Sequence, residues 1–341
     1  MARFDEVLSV LAFDEKLRDL PDTRQEARNQ DWRRILYSGV IVNLYGGLEE
    51  FVDDLIERYA SLCNTLFPIY EDLPSNLRKA HDAQARMLLT REGTGRLSRD
   101  DIDSMVRCLA SCLDGGKTYS LSGTALSFHD RNLKWDVIAE LFGRIDLTLR
   151  DGPIEKEVRF FADGDLVGIY ASLDKLLVDL VDRRNEISHG GYSDLSSPEI
   201  LSAVTEVLKW LARSLVNELR KQTFFALAPS ASKLGSVRKY LPTIKAHTFV
   251  LEAEEVTIGD VIFGVERKTN LLRAARVVSL RDNDADVDCV IRDSMLDHEK
   301  MVGIKIEPEI QFAGPLYVLN LDVAQILYDE EYEILISRDV N

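Results

Sequence analysis

At 341 residues, with 45% apolar and 29% charged side chains, the chain is long enough for two globular domains and too polar for a bundle of membrane helices. No apolar run approaches the ~20 residues that cross a bilayer, and Cys63, Cys108, Cys112 and Cys289 are too scattered to staple a small scaffold. A net charge of −16 argues against a long basic nucleic-acid face, and leaves room for a short-range site built from a few arginines in a cleft or for a separate basic partner.

The opening Met-Ala-Arg-Phe-Asp-Glu lacks the apolar core of a secretion signal, so a cytoplasmic location with reduced thiols is expected. Phe4, Val7, Leu8, Leu11 and Leu17 recur at helical spacing and predict a first helix over 3–20. After a polar break at Asp22-Thr23, the stripe Leu36, Val40, Leu44, Leu48, Phe51, Leu55 and Tyr59 predicts a long helix from about 24 to 63. Gly39, Gly46 and Gly47 lie inside it at ~1 kcal/mol each against alanine, which favours close packing, within the chain or at a dimer seam, or a kink. Pro68 and Pro74 bracket a connector. Helices are then expected over 75–89 and 98–113, the second opened by Ser98-Arg-Asp-Asp with acid in its first turn. Cys108 and Cys112 share a face of that helix, and without a second metal-spaced pair they read as buried small apolar groups. Gly115-Gly116 ends it. The mixed, polar stretch 117–134 is expected as a loop or short helices crossing the surface, followed by a helix carrying Trp135, Ile138, Leu141, Phe142 and Ile145.

The next helix organises the rest. Leu173, Leu176, Leu177, Leu180 and Val181 line one face, Ile187 extends the stripe, and Gly190-Gly191 supply a left-handed stop. Arg184 breaks the pattern by falling in the middle of that stripe, where a core wants a leucine. A guanidinium keeps its charge, so burying it unpaired is very costly. This helix end therefore faces an acidic partner or opens onto a site that receives an anion. His189 lies five residues on, about 500° of helical rotation away, so it meets Arg184 only across the fraying last turn or around a symmetry axis between two such helices. Arginine, the Asn185 amide and histidine together suit phosphate chemistry: the cation binds phosphate oxygens, the amide orients and the imidazole moves a proton. Read without a family, the same residues also fit an arginine paired to a buried carboxylate and a histidine bonded to a helix-end carbonyl.

A serine cap and Pro198 restart the chain, and Ile200, Val204, Leu208, Leu211, Leu215 and Leu219 define a last helix up to Phe224–Phe225. Around Pro229 the texture changes. Short β-branched runs at Thr248–Leu251, Asp260–Val265, Ala275–Leu280, Val287–Ile291, Val302–Ile306, Pro315–Leu319 and Tyr332–Ile336 predict a compact barrel or sandwich, with a turn at Asp282-Asn283-Asp284. The expected fold is α+β: a helical part over 1–228 and a small β-rich part over 229–341. The Asp282–Asp288 run lacks the glycine and glutamate of an EF-hand and reads as a solvated hairpin turn. His81, His129, His247 and His298 show no metal-ligand spacing, and neither a phosphate-binding glycine loop nor a nucleophile elbow is present.

The run Arg184-Asn185-x-x-x-His189-Gly resembles the R-x4-6-H signature of the HEPN superfamily, and its bacterial ribonuclease-toxin branch in particular. Leu48-Glu-Glu-Phe-Val-Asp-Asp-Leu-Ile56 and Asn132-Leu-Lys-Trp-Asp-Val-Ile138 also look like that branch, so the resemblance covers roughly the first two-thirds of the chain; the β part resembles no family. The resemblance implies a helical bundle and a metal-independent, cofactor-free endoribonuclease whose composite site forms at a homodimer interface. It further implies that His189 moves the proton of the ribose 2′-OH or of the departing 5′-oxygen, that Arg184 neutralises charge growing on phosphate, and that Asn185 bonds phosphate or fixes the histidine. Ser188 and Arg183 are candidate phosphate contacts, although Arg183 lies on another face. Glu49 is a candidate for orienting Arg184 or His189, against the plainer reading of an exposed glutamate. Products would be a 2′,3′-cyclic phosphate and a 5′-OH. The expected partners are a restricted RNA such as a tRNA loop, a second copy of the chain, and an antitoxin or regulatory protein in toxin–antitoxin or phage defence, with no membrane. The competing reading is a non-catalytic HEPN-type assembly or nucleotide-binding module, which the acidic charge favours.

Overall fold

In a computed structural model of the chain the described residues are 2–18, 26–90, 97–113, 118–149, 154, 170–191, 195–227, 232–268, 272–282, 285–292 and 300–318. The breaks at Asp22-Thr23 and Gly115-Gly116, the change of texture at Pro229, His298 and the expected strand Tyr332–Ile336 lie outside them, as does most of the turn at Asp282-Asn283-Asp284. The chain divides into two compact units, Met1–Val216 and Asn217–Asn341.

In the first unit α1 (Ala2–Arg18) lies on α2 (Glu26–Leu66), a continuous helix of 41 residues that also packs against α5 (Gly123–Ser127), α6 (Trp135–Arg144) and α7 (Leu173–Ser188). The predicted stripe of α2 is the buried one: Leu36, Val40, Leu44, Leu48, Leu55 and Tyr59 are all in the core, although Phe51 is only half-buried. Its glycines do not act alike. A Cβ on Gly47 would meet Arg3 and Phe4 of α1, close packing within the chain, whereas one on Gly39 would meet open space. A single 3-10 turn, Tyr70–Asp72, occupies the proline-bracketed connector before α3 (Ser75–Thr90). At α4 (Arg99–Leu113) the side chains of Ser98 and Asp101 cap the helix reciprocally, each accepting the other's backbone N–H. Cys112 is buried and Cys108 partly so, as the small-apolar reading expects. The last helix, α8 (Pro198–Leu227), starts on its proline with the Ser197 hydroxyl accepting from Ile200 N.

One expectation is corrected. The stretch 117–134 does not cross the surface: Leu121, Ala125, Leu126 and Leu133 are in the core. Its polarity is satisfied internally. The Ser122 hydroxyl caps α5 at Ala125 N, His81 Nε2 accepts from Ser122 N at 2.9 Å, and the Ser127 hydroxyl donates to Glu57 at 3.0 Å. Gly123 makes this possible, because a Cβ there would stand 2.9 Å from both Glu57 Cα and Cβ. Polar composition was a poor guide to burial here because the buried polar groups at Ser122 and Ser127 find partners in α3, α5 and α2.

The second unit contains a closed six-stranded antiparallel barrel. Its strands β1 (Ser232–Leu241), β2 (Ala246–Val250), β8 (Met301–Glu307), β5 (Leu272–Asp282), β4 (Val261–Glu266) and β9 (Phe312–Val318) pair in that circular order, β9 returning to β1. Closure leaves no edge among these six. β6 (Ala285–Val287) adds a hairpin on β5, and β3 (Glu255–Thr257) pairs with β7 (Cys289–Ile291) outside the barrel. Phe249, Ile262, Ala275, Val277, Val302, Ile304, Phe312 and Leu316 alternate inward to fill it. β1 and β3 were not foreseen, and the expected run Val287–Ile291 divides between two strands. β1 reads Ser-Lys-Leu-Gly-Ser-Val-Arg-Lys-Tyr-Leu with a bulge at Lys233/Gly235, which breaks the alternation that betrays a strand. The α+β fold is as expected.

Candidate functional site

The site is built on the C-terminal end of α7. The Ser172 hydroxyl caps the helix start at Lys175 N, and Leu173, Leu176, Leu177, Leu180 and Val181 are buried, so the apolar stripe anchors the helix as predicted. The stop is a paired glycine motif. Gly190, at φ +77°, donates to Ile187 O at 3.0 Å and Gly191 donates to Glu186 O at 2.9 Å, the reciprocal pattern of a Schellman end. His189 is the cap residue, its backbone N–H directed to the Asn185, Glu186 and Ile187 carbonyls and its side chain exposed. A rigid helix end thus presents the imidazole to solvent.

Arg184 is half-buried. Its Nη1 donates to Asn185 Oδ1 at 3.1 Å and its guanidinium lies over the Tyr45 ring, 5.1 Å from the centroid. Among the described residues no carboxylate comes within ion-pair distance of it. Ser188 donates its hydroxyl to Arg184 O at 2.9 Å, a bond along the helix itself. Arg183 points elsewhere: Nε pairs with Asp179 at 2.7 Å and Nη1 donates to Tyr37 Oη at 2.8 Å, while Tyr170 also donates to Asp179. Burial works against its charge, but Asp179 and Tyr37 hold the guanidinium's affinity for its proton above the ordinary value.

Glu49, also half-buried, touches neither Arg184 nor His189 but accepts from Tyr45 Oη at 3.3 Å. His129 stands between Glu49 and Asp53, with Nε2 3.7 and 3.6 Å from their carboxylates, and its Nδ1 donates to Arg131 O at 2.7 Å. Burial first, and then the neighbouring carboxylates Glu49, Glu57 and Asp54, push the Asp53 carboxyl up to about 7, so this acidic row carries a proton near neutrality. The fold thus brings Arg184, Asn185, Tyr45 and Glu49 into one chain of contacts. It sends Arg183 to a structural pair, and among the described residues no side-chain hydrogen bond joins the His189 imidazole to Arg184 or Asn185. Tyr45 and His129 are the residues that sequence reading passed over. Tyr45 lies one position off the apolar stripe of α2, and an aromatic carrying a hydroxyl at a stripe edge is the one signal that marked it. Among the described residues no cluster of histidine, cysteine and carboxylate groups is arranged to hold a metal.

A family model described as RiboL-PSP-HEPN matches residues 3–222. No curated protein matches the chain. Among solved structures, the C-terminal domain of a Geobacillus thermoleovorans protein titled a U32 peptidase is 14% identical. That match covers 26% of this chain and 94% of that one, with a TM-score of 0.19. GDP-bound aIF5B from Aeropyrum pernix is 13% identical, covering 47% of this chain and 31% of that one, with a TM-score of 0.22. At TM-scores this low neither likeness bears on fold or activity. Among the described residues no helix is long and apolar enough to cross a membrane.

Proposed function

The chain belongs to the RiboL-PSP-HEPN family, and on that premise we propose that it is a metal-independent RNA endonuclease working as a homodimer in toxin–antitoxin or phage defence. One observation carries the reading. Arg184 is held half-buried at a helix end by an amide and an aromatic ring, with no carboxylate among the described residues within ion-pair distance, and an exposed imidazole follows at the cap of the same helix. In the proposed mechanism His189 takes the proton from the ribose 2′-OH, or returns one to the departing 5′-oxygen. The 2′-oxygen attacks the adjacent phosphorus, the bond to the 5′-oxygen breaks, and a 2′,3′-cyclic phosphate and a 5′-OH result. Arg184 is stronger toward the phosphorane than toward the ground-state phosphate because charge accumulates on its oxygens during attack. Asn185 keeps the guanidinium oriented. Because no side-chain hydrogen bond among the described residues brings the His189 imidazole to Arg184, the second copy supplies the complementary half. With the net charge of −16, substrate contact is confined to the site and a short RNA loop such as that of a tRNA is favoured.

The acidic row Glu49, Asp53 and Glu57 favours a second reading, a non-catalytic module whose α7 end binds nucleotide or protein. Cleavage of RNA in EDTA, with analysis of product ends, separates the two. Cyclic phosphate and 5′-OH ends, and losses of about 100-fold or more in Arg184→Ala and His189→Ala, are expected. A requirement for divalent metal, or 3′-OH ends, overturns the nuclease reading. Binding of RNA without cleavage at any concentration supports the module.

A further inference from the structure

We infer that Tyr45 is the positioning residue of Arg184: its ring seats the guanidinium and, at the same time, separates that cation from the acidic row on α2. An arginine has a long flexible stem, and fixing it in one geometry needs more than the single bond to the neighbouring Asn185. The ring face supplies the second contact, at 5.1 Å from guanidinium carbon to centroid. The ring itself is held by two bonds at its hydroxyl. Tyr45 is buried, its hydroxyl accepts from Leu133 N at 3.0 Å, and it donates to Glu49 at 3.3 Å. Donation to a carboxylate drives electron density into the phenol, which strengthens its pull on a cation.

The second half of the role is electrostatic. Glu49 accepts from the Tyr45 hydroxyl, and His129 Nε2 stands 3.7 and 3.6 Å from the Glu49 and Asp53 carboxylates. Had Arg184 reached either carboxylate, a charge-assisted pair would have formed and its oxygens would compete with phosphate for the guanidinium. The ring takes the face of the guanidinium and its hydroxyl takes Glu49, and among the described residues no carboxylate pairs with the cation. The segment that sets this up is the buried stretch before α6. Arg144 ties it down by donating to the Leu126 and Phe128 carbonyls at 3.0 and 2.6 Å, and Leu133 is the residue whose N–H orients the phenol.

The inference rests on the proposed function for its consequence in catalysis, but not for the seating itself, and the test is arranged to tell them apart. In nitrogen-15 spectra of the full chain the Arg184 Nε–H resonance, assigned by its loss in Arg184→Lys, should be displaced by the Tyr45 ring current. In Tyr45→Leu it should move to the ordinary arginine position, and in Tyr45→Phe it should stay displaced but broaden. In cleavage assays Tyr45→Leu should lower kcat by about 10-fold, with KM within about twofold of wild type because Arg184 acts mainly on the transition state. Tyr45→Phe, which keeps the ring and loses the hydroxyl clamp, should recover most of that loss per folded molecule, while its melting temperature falls because the buried Leu133 N–H loses its acceptor. A resonance that does not move in Tyr45→Leu overturns the inference, as does an unchanged kcat in an active enzyme. Wild-type protein that cleaves no RNA, with the resonance still moving, sinks the nuclease reading and leaves the seat intact.

Discussion

Arg183 and Arg184 are neighbours with different roles. Arg183 bonds Asp179 and Tyr37, tying α7 to α2, whereas Arg184 stacks on Tyr45 and has no such pair among the described residues. Removing Arg183 takes a donor from the buried Tyr37 hydroxyl and leaves Asp179 with its bond from Tyr170, at about 1–3 kcal/mol. Removing Arg184 forfeits a ring contact worth roughly 0.5–1 kcal/mol. Arg183→Ala should therefore lower the melting temperature clearly while retaining cleavage per folded molecule, and Arg184→Ala should do the reverse. Melting curves paired with active-fraction assays decide it, and equal loss of activity in both variants counts against the assignment of the two arginines. The sequence alone separated the two by helical phase, since Arg184 falls in the apolar stripe and Arg183 off it. It did not reveal that Arg183 is internally paired, because Tyr37 lies 146 positions away.

At the scale of elements, the placement of α5 decides how the site is backed. Gly123 lets its first turn come within van der Waals reach of the α2 backbone at Glu57, and from there the chain leads through His129 and Leu133 to α6. Gly123→Ala should cost about 1–3 kcal/mol, since its new carbon meets backbone and not the end of a flexible side chain. Gly143→Ala, in α6 with nothing within 4 Å of the new carbon, should be neutral or stabilising by up to ~1 kcal/mol. Thermal melts of the two variants measure the contrast, and equal midpoints would remove the close approach as the reason for the glycine. The long, periodic helices were legible because a buried stripe repeats every three or four residues. α5, at five residues, is too short to show a period, and β1 conceals its own behind a bulge.

Across the whole molecule, one acid-sensitive histidine sits in each unit. His81 and His247 are fully buried, each accepts a backbone N–H at Nε2, from Ser122 and Phe312, and burial lowers both from 6.5 to about 4. Between those values the unfolded chain binds the protons and the folded chain does not, so stability is full above about 6.5 and falls as pH drops toward 4. Asp53 works in the opposite sense. Its folded carboxyl is raised from 3.8 to about 7, and that contribution fades as pH rises through this range. In the first unit His81 and Asp53 largely offset each other, and in the second His247 gives a loss of order 1 kcal/mol per pH unit on acidification below about 6.5. The melting temperature should fall by several degrees from pH 7 to pH 5, and a flat or rising midpoint would contradict the assignment of the histidines as buried neutral acceptors.

The helical first part, the β-rich remainder, the Schellman stop at Gly190-Gly191 and the odd cation at Arg184 were all readable in advance, because periodicity, turn chemistry and a charge in an apolar stripe are local properties of the chain. Whether that cation would be neutralised was not local. Glu49 was the acidic candidate nearest in pattern, yet a phenol one turn earlier on α2 takes its hydrogen bond and stands in front of the guanidinium. Which of two adjacent groups on a helix meets a side chain from another helix depends on interhelical rotation and on what the intervening loop contributes, here the Leu133 N–H. Barrel closure was undecided for the same kind of reason: strand propensity marks where strands lie, but the return of β9 to β1 is a pairing between distant segments that no single stretch encodes.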